Sequence, residues 1–206
     1  MFQTPLLIAG LGNPGAEYAR NRHNAGFMAV DVIQSSYGFA PWRTRFRGVF
    51  CEGALAGRRT WLLKPMTYMN ESGVSVAAAV HFYKLPLDAL VVIHDEIDLA
   101  AGKLKVKTGG SDAGNNGLRS ITAALGADYR RVRIGIGRPQ TRTRVTSHVL
   151  DNFSKAEEVW LVPLLSAIAE AAPWLARDDN PGFATRVALT LKPPVKKPNP
   201  RNEKEG

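Results

Sequence analysis

Residues 6–26 read LLIAGLGNPGAEYARNRHNAG, and this stretch predicts both the type of fold and the place of the functional site. Its apolar run 6–9 is typical of a buried strand, and apolar residues between 25 and 36 recur at helical spacing. The connection between them carries an amide at Asn13 and an imidazole at His23. Because open α/β sheets bind ligands at the carboxyl ends of their strands, we expect the site to lie here.

The same stretch places Gly10, Gly12 and Gly15 in the spacing G-x-G-x-x-G, the fingerprint of dinucleotide-binding folds. Two observations argue against that interpretation. Pro14 has no backbone N–H to offer a phosphate, and residues 37–47 end no second strand with an acidic residue for a ribose hydroxyl. A nucleotide-dependent enzyme is therefore the weaker alternative.

Strand-like and helix-like segments alternate along the rest of the chain, which predicts one α/β domain with a mixed sheet flanked by helices. The predicted strands are 49–55 and 60–64, which form a hairpin around Gly57-Arg58, and then 89–94, 103–108 and 131–137. The predicted helices are 73–84, capped by Ser72, 118–125, a long helix opened by the capping box of Ser154 and Glu157 and kinked at Pro163, and one opened by Asn180-Pro181.

The composition predicts a cytoplasmic globular protein with an anionic partner. The 206 residues are 45% hydrophobic and carry a net charge of +9, which favours a phosphate-bearing ligand without distinguishing RNA, DNA and anionic lipid. We expect no membrane span and no secretory signal. The single cysteine, Cys51, excludes an internal disulfide and a cysteine-based zinc site, and its strand-like surroundings favour packing over catalysis.

The last fifteen residues, 192–206, are rich in proline and lysine and poor in apolar side chains, which predicts a basic disordered tail after a domain spanning 1–191. Such a tail either touches nucleic acid or is a solvated terminus without a role.

Polar side chains follow three predicted strands. Asn13 and His23 follow the first, Asn70 follows the hairpin, and His94 and Asp95 follow the third. If these strands are parallel neighbours, the groups meet at one edge of the sheet. A histidine backed by an aspartate is a general base, and the amides of Asn13 and Asn70 can donate to a carbonyl oxygen that gains negative charge. Together they indicate acyl transfer to water.

Each of these residues also has an ordinary structural interpretation. His23 could satisfy a buried backbone group, and Asn13 is typical of a turn. The acidic segment after the third strand is either a solvated loop or a site for a hard metal ion. The alternative metal ligands are His94, Asp95, Glu96 and Asp98. Ser111 lacks the glycine pattern of a serine-hydrolase elbow, so water is the favoured nucleophile.

Three sets of basic residues alternate along predicted strands and therefore project from one face each. They are Lys103, Lys105 and Lys107, then Arg131 and Arg133, and finally Arg43, Arg45 and Arg47. The first two sets flank the glycine-rich loop 109–117 and form either a phosphate clamp or a solvated face. The third either stacks on RNA together with neighbouring aromatic rings or protects an edge strand.

Six motifs together carry a family resemblance. They are GLGNPG at 10–15, RHNAG at 22–26, KPMTYMNESG at 64–73, HDEIDL at 94–99, NGL at 116–118 and RVRIGIGRP at 131–139. In this order they resemble bacterial peptidyl-tRNA hydrolases, from the first strand to about Phe153. The resemblance implies a monomer with a single, twisted mixed-sheet α/β domain, phosphorylase/hydrolase-like in class. It also implies cleavage of the ester between a peptide and the 3′ ribose of tRNA, without metal or cofactor, which recycles tRNA in translation.

The resemblance implies roles for individual residues as well. His23 matches the catalytic base, Asp95 the carboxylate that orients it, and Asn13 the residue that helps distinguish blocked from free aminoacyl ends. The implied contacts to the tRNA end or peptide are Tyr18, Tyr68, Met69, Asn70 and Asn116. Lys107 and Arg133 match the positions that hold the 5′ phosphate of tRNA.

One position departs from the family pattern. Asn115 stands where the family commonly has histidine, and an amide cannot be protonated near neutrality. Because His23 and Asp95 are intact, we predict retained activity with changed gating or substrate contact at this loop. The alternative from another class is an RNA-binding protein that kept the fold and lost catalysis, as in the intron-splicing relatives of organelles.

Overall fold

The structure is a computed structural model that describes residues 3–139, 141 and 145–192. Its strands are β1 (Leu6–Gly10), β2 (Arg43–Arg45), β3 (Gly48–Leu55), β4 (Arg58–Pro65), β5 (Leu90–Glu96), β6 (Leu104–Thr108) and β7 (Arg130–Gly135). Its α-helices are α1 (Ala25–Ser36), α2 (Ser72–Tyr83), α3 (Asn116–Leu125), α4 (Val145–Leu150), α5 (Lys155–Ala176) and α6 (Asn180–Thr190). The strands form one seven-stranded mixed sheet, which confirms the predicted α/β class.

The strand order β2-β3-β4-β1-β5-β7-β6 places β1 at the centre of the sheet. It pairs in parallel with both β4 and β5, and β5 pairs in parallel with β7. The predicted hairpin of β3 and β4 is confirmed, and β2 and β6 are antiparallel edge strands. Consequently the carboxyl ends of β1, β4 and β5 lie at the same edge of the sheet, as the sequence analysis required for its polar groups to meet.

The sheet separates two apolar cores. Leu6 and Ile8 of β1 pack in a core that includes residues of α1, α5 and α6, whereas Leu7 and Ala9 pack in a core that includes residues of α2 and α3. Successive side chains of a strand point to opposite faces, so β1 is buried on both. This explains why the run 6–9 is apolar without alternation.

Close approach of α1 to the sheet accounts for two of the glycines. A Cβ atom at Gly10 would lie 2.3 Å from the carbonyl oxygen of Gly26, and one at Gly26 would lie 2.3 Å from the carbonyl oxygen of Ile93. No side chain fits in either place. The glycine pattern after β1 therefore has a structural cause that involves no nucleotide.

Helix starts are where the structure corrects the sequence prediction. Ser72 does not cap α2; it is the first helical residue, and its hydroxyl donates to the carbonyl oxygen of Met69 at 2.8 Å. Helix α3 begins at Asn116, two residues earlier than predicted, because Asn115 caps it. The capping box that opens α5 and the start of α6 are confirmed.

Helix α5 contradicts the expectation that no segment resembles a membrane span. It continues through Pro163 and Pro173, and by length and composition alone it could cross a membrane. However, 56% of its most apolar window is buried inside the protein, and its apolar side chains belong to the core shared with α1 and α6. These contacts are those of a core helix.

Two elements were not predicted, the short edge strand β2 and helix α4. The predicted tail lies outside the described residues from 193 onward, so the domain boundary at 191 stays a prediction.

Candidate active site

His23 and Asp95 are in direct contact, although 72 residues separate them. The Nδ1 atom of His23 lies 2.9 Å from Oδ1 and 3.0 Å from Oδ2 of Asp95. The imidazole comes from a 3-10 turn, Arg22–Asn24, that leads into α1, and the carboxylate comes from the end of β5. Asp95 is 3% exposed and His23 9% exposed. The predicted pair is thus formed in a largely buried place.

The pair changes the acid–base properties of the imidazole. Burial on its own lowers the pKa of His23, because it penalises the charged form, but the charge of Asp95 and the hydrogen bond outweigh burial. The pKa of His23 is therefore raised from its ordinary value of 6.5. Since the carboxylate is an acceptor, Nδ1 carries a proton in the neutral ring, and Nε2 has the lone pair that can accept another.

The turn that carries His23 is anchored to the start of α5. Arg22 donates from Nε and Nη2 to the carboxylate of Glu157, at 2.9 and 2.7 Å. Burial alone would raise the pKa of Glu157, but its hydrogen bonds from Arg22 and Ser154 outweigh this and lower it to about 2. The carboxylate therefore stays ionised at neutral pH, and the ion pair fixes the position of the turn.

Asn13 is fixed by hydrogen bonds to two loops. Its backbone N–H donates to Oδ1 of Asn24, and Nδ2 of Asn24 donates back to its carbonyl oxygen, both at 2.9 Å. Its side-chain Oδ1 accepts a hydrogen bond from the backbone N–H of Met69 at 2.8 Å. Asn13 therefore connects the loop after β1 with the loop after β4. Because Oδ1 is engaged, Nδ2 is the part of this side chain that can donate to another group.

A cavity with a volume of about 380 Å³ opens beside the pair. It brings together the residues predicted to be catalytic or to contact substrate, which are Asn13, Tyr18, His23, Tyr68, Met69, Asn70, Asp95 and Asn116. Tyr68 is 59% exposed, whereas Met69 is buried beneath it at 4%.

The sequence analysis missed the apolar wall of this cavity. Ile97 after β5 and Val145, Val149 and Leu150 of α4 also line it. The positions 145, 149 and 150 have helical spacing, which is the signal that could have predicted α4 as an amphipathic helix. The site therefore combines a polar side around His23 with an apolar side from α4.

Lys107 and Arg133 lie on one face of the β6–β7 pair. Lys105 is directly opposite Arg133 and Lys107 opposite Arg131, so the four side chains share a face. Lys107 is exposed. Arg133 is only 21% exposed in its side chain, and its Nε and Nη2 atoms both lie 3.0 Å from Oε2 of the buried Glu96.

Arg131 does not belong to a phosphate clamp. It is 1% exposed, its Nη1 donates to the carbonyl oxygen of Ser111 at 2.7 Å, and its guanidinium lies 4.6 Å from the ring centre of Tyr129. Its role is to hold the glycine-rich loop against β7, which corrects the interpretation that paired it with Arg133.

The alternative metal site is not assembled. Successive residues of β5 point to opposite faces, so His94 points away from Asp95. Glu96 pairs with Arg133 and Asp98 with Arg138, and across the described ranges no three His, Cys, Asp or Glu side chains are grouped to hold a metal ion.

The outer edge of the sheet carries the remaining candidates. Arg45 lies over the rings of Phe46 and Phe82, at 4.6 and 4.4 Å, and donates to the hydroxyl of Tyr83. This arrangement on the edge strand β2 favours protection of the edge. Cys51 is buried in β3, where burial raises its pKa to about 12, in agreement with a packing role.

Comparison with known proteins follows from this geometry. The sequence matches the family model for peptidyl-tRNA hydrolase over residues 7–194. The chain belongs to the peptidyl-tRNA hydrolase family. The predicted family and its enzyme class are thereby confirmed, and the nucleotide-dependent enzyme is set aside.

Curated relatives and solved structures agree. Peptidyl-tRNA hydrolases of Granulibacter bethesdensis and Acidiphilium cryptum are 57% and 56% identical over 185 and 187 residues. These matches cover 89% and 90% of this chain and 95% and 97% of the relatives. The crystal structure of peptidyl-tRNA hydrolase from Acinetobacter baumannii matches with a TM-score of 0.85 at 37% identity, covering 91% of this chain and 96% of that one.

Proposed function

We propose that this peptidyl-tRNA hydrolase cleaves the ester between the peptide and the 3′ ribose of tRNA, with His23 as general base for a water molecule. The contact of 2.9 Å between His23 Nδ1 and Asp95, beside a cavity, is the observation that carries the proposal. Asp95 holds the tautomer whose Nε2 can accept a proton, and its charge stabilises the imidazolium that forms. A positioned base of this kind contributes about 10² to 10⁴ in rate.

The reaction then proceeds in two steps. His23 Nε2 takes a proton from water while the water oxygen attacks the ester carbonyl carbon, which gives a tetrahedral oxyanion. The collapse of this intermediate breaks the bond to the ribose 3′ oxygen, which takes the proton from the imidazolium and leaves as a hydroxyl. Asn13 and Asn70 are the proposed amide donors to the oxyanion, supported by the engagement of Asn13 Oδ1 with Met69, which leaves Nδ2 as donor.

Substrate contacts follow from the lining of the cavity. We assign contact with the tRNA 3′ end and the peptide to Tyr18, Tyr68, Met69, Asn70 and Asn116, since all of them line it. The apolar wall of α4 then faces apolar parts of the substrate.

We assign the 5′ phosphate of tRNA to Lys107 and Arg133. The exposed side chain of Lys107 and the shared face of the β6–β7 pair support this assignment. Because Glu96 already neutralises Arg133, Lys107 supplies most of the net attraction, and Arg133 supplies oriented donors.

We further propose a cytoplasmic monomer that acts without metal or cofactor, because protein side chains perform each proton transfer above. An RNA-binding protein without catalysis is the alternative that the assay below decides.

The experiment compares N-acetylated aminoacyl-tRNA with free aminoacyl-tRNA as substrates of the full chain. We expect hydrolysis of the blocked ester and sparing of the free one. Binding of the blocked substrate without release of tRNA would contradict the proposal and would favour the RNA-binding alternative.

A further inference from the structure

The side chain of Asn115 makes three hydrogen bonds that connect a helix end to the proposed catalytic pair. Its Oδ1 accepts from the backbone N–H groups of Gly117 and Leu118, at 3.0 and 3.1 Å, and thereby caps α3. Its Nδ2 donates to Oδ1 of Asp95 at 3.3 Å. The same carboxylate oxygen lies 2.9 Å from Nδ1 of His23. Asp95 therefore has donors on two sides.

The cap determines which end of the amide meets Asp95. If the amide were flipped, its NH2 group would face two backbone N–H donors, and its oxygen would face a carboxylate. Both contacts would be repulsive. The helix end thus holds Nδ2 towards Asp95 whether or not a substrate is bound.

We propose that Asn115 is a positioning residue for the His23–Asp95 pair, acting on the carboxylate. This inference rests on the proposed function for its catalytic meaning. The amide restrains the rotation of the carboxylate and takes up part of its negative charge. A carboxylate that shares its charge stabilises the imidazolium less, so more of His23 is neutral, and able to act as a base, near pH 7.

The same side chain connects the base to the substrate side of the cavity. Asn116, which lines the cavity, is the first residue of α3 directly after Asn115. A Cβ atom at Gly117 would lie 2.5 Å from Sδ of Met69, so the first turn of α3 packs directly on the cavity floor. Movement of this turn and movement of Asp95 are therefore coupled through one amide.

Other ionisable groups surround the pair and keep their partners when Asn115 changes. On β5, His94 Nδ1 lies 2.6 Å from the carbonyl oxygen of Asp95, and Glu96 pairs with Arg133. Arg22 pairs with Glu157 on α5. Tyr18 and Tyr68 complete the cavity wall. Asn115 is the uncharged member of this set that touches Asp95.

Two variants separate the cap from the contact with Asp95. Asn115→Ser keeps a good N-cap acceptor but removes the amide donor, and its shorter side chain does not reach Asp95. Asn115→Asp keeps both the length and the cap acceptor but places a second carboxylate against Asp95. Asp179→Ser is the matched control, because Asp179 caps α6 in the same way and is distant from the site in the fold.

The readout is the pKa of His23, measured by NMR titration of the imidazole signals, with His23→Gln used for assignment among the four histidines. We expect a rise of about one unit or more in Asn115→Asp, a smaller rise in Asn115→Ser, and no change in the control. The acidic limb of kcat/KM should move to higher pH by the same amounts.

An unchanged pKa of His23 in both folded variants would overturn the inference, since a residue that merely capped α3 would not affect it. A thermal unfolding scan shows which variants fold, and either one alone decides the sign. The titration needs no substrate, so it tests Asn115 even if the protein fails to hydrolyse peptidyl-tRNA, which would overturn the proposed function instead.

Discussion

Two opposing effects act on the imidazole of His23, and the balance between them determines how the site responds to pH. Burial disfavours the imidazolium, whereas Asp95 stabilises it by charge and by a hydrogen bond, and the net result is a raised pKa. The folded protein therefore binds this proton more tightly than the unfolded chain. The resulting contribution to stability is fully present below pH 6.5 and is lost as the pH rises through the raised pKa.

The same balance predicts the effect of Asp95→Asn on activity. In the wild type, hydrolysis should fall as the pH drops through the raised pKa of His23, because only the neutral ring accepts a proton. The variant retains burial but loses the charge, so the pKa of His23 should drop below 6.5 and the acidic limb should move to lower pH. The maximal rate should also fall, because the ring is held in the wrong tautomer.

A pH profile of kcat/KM for both proteins checks this. An acidic limb at the same pH in the wild type and in Asp95→Asn would show that another group controls it.

Single residues could be read from the sequence where the chemistry is local. The pairing of His23 with Asp95 was predictable as a possibility, because both follow strand-like runs. The engagement of Arg133 by Glu96 and the burial of Arg131 were not, since alternation along a strand does not tell which side of a sheet is covered by a helix or a loop.

At the scale of elements, strands and long helices were predictable, and their ends were less so. Ser72 has the residue type of a cap, but the 3-10 turn Met69–Glu71 already continues into α2, so its hydroxyl bonds back to that turn. Helix α4 has six residues and no cap signal, and its apolar positions face the cavity. Short elements gain little from propensity and depend on tertiary contacts that the sequence does not display.

The antiparallel pair of β6 and β7 leads to a prediction about tRNA binding. Lys107→Ala should weaken binding and reduce the slope of log Kd against log salt by about one, because one phosphate contact is lost. Lys84→Ala is the control, since Lys84 is exposed at the end of α2.

Equilibrium binding of tRNA between low and moderate salt measures both quantities. Equal slopes for the wild type and Lys107→Ala would show that Lys107 does not contact a phosphate.

At the scale of the whole molecule, function depends on which strands are neighbours. The sequence predicted a mixed sheet flanked by helices, and it predicted that polar groups would meet only if three strands were parallel neighbours. The order β4-β1-β5 satisfies that condition. Nothing local in the sequence specifies this order, because strand pairing is determined by the joint packing of two cores on opposite faces of the sheet.

The central claim is that this convergence of loops makes His23 the base, and single-turnover hydrolysis of N-acetylated aminoacyl-tRNA by His23→Ala tests it most directly. We expect a loss of about 10² to 10⁴ in rate with unchanged tRNA affinity and melting temperature. The control is His81→Ala, which makes the same change on an exposed position of α2 and should retain the wild-type rate. A rate for His23→Ala close to that of the wild type would contradict the claim.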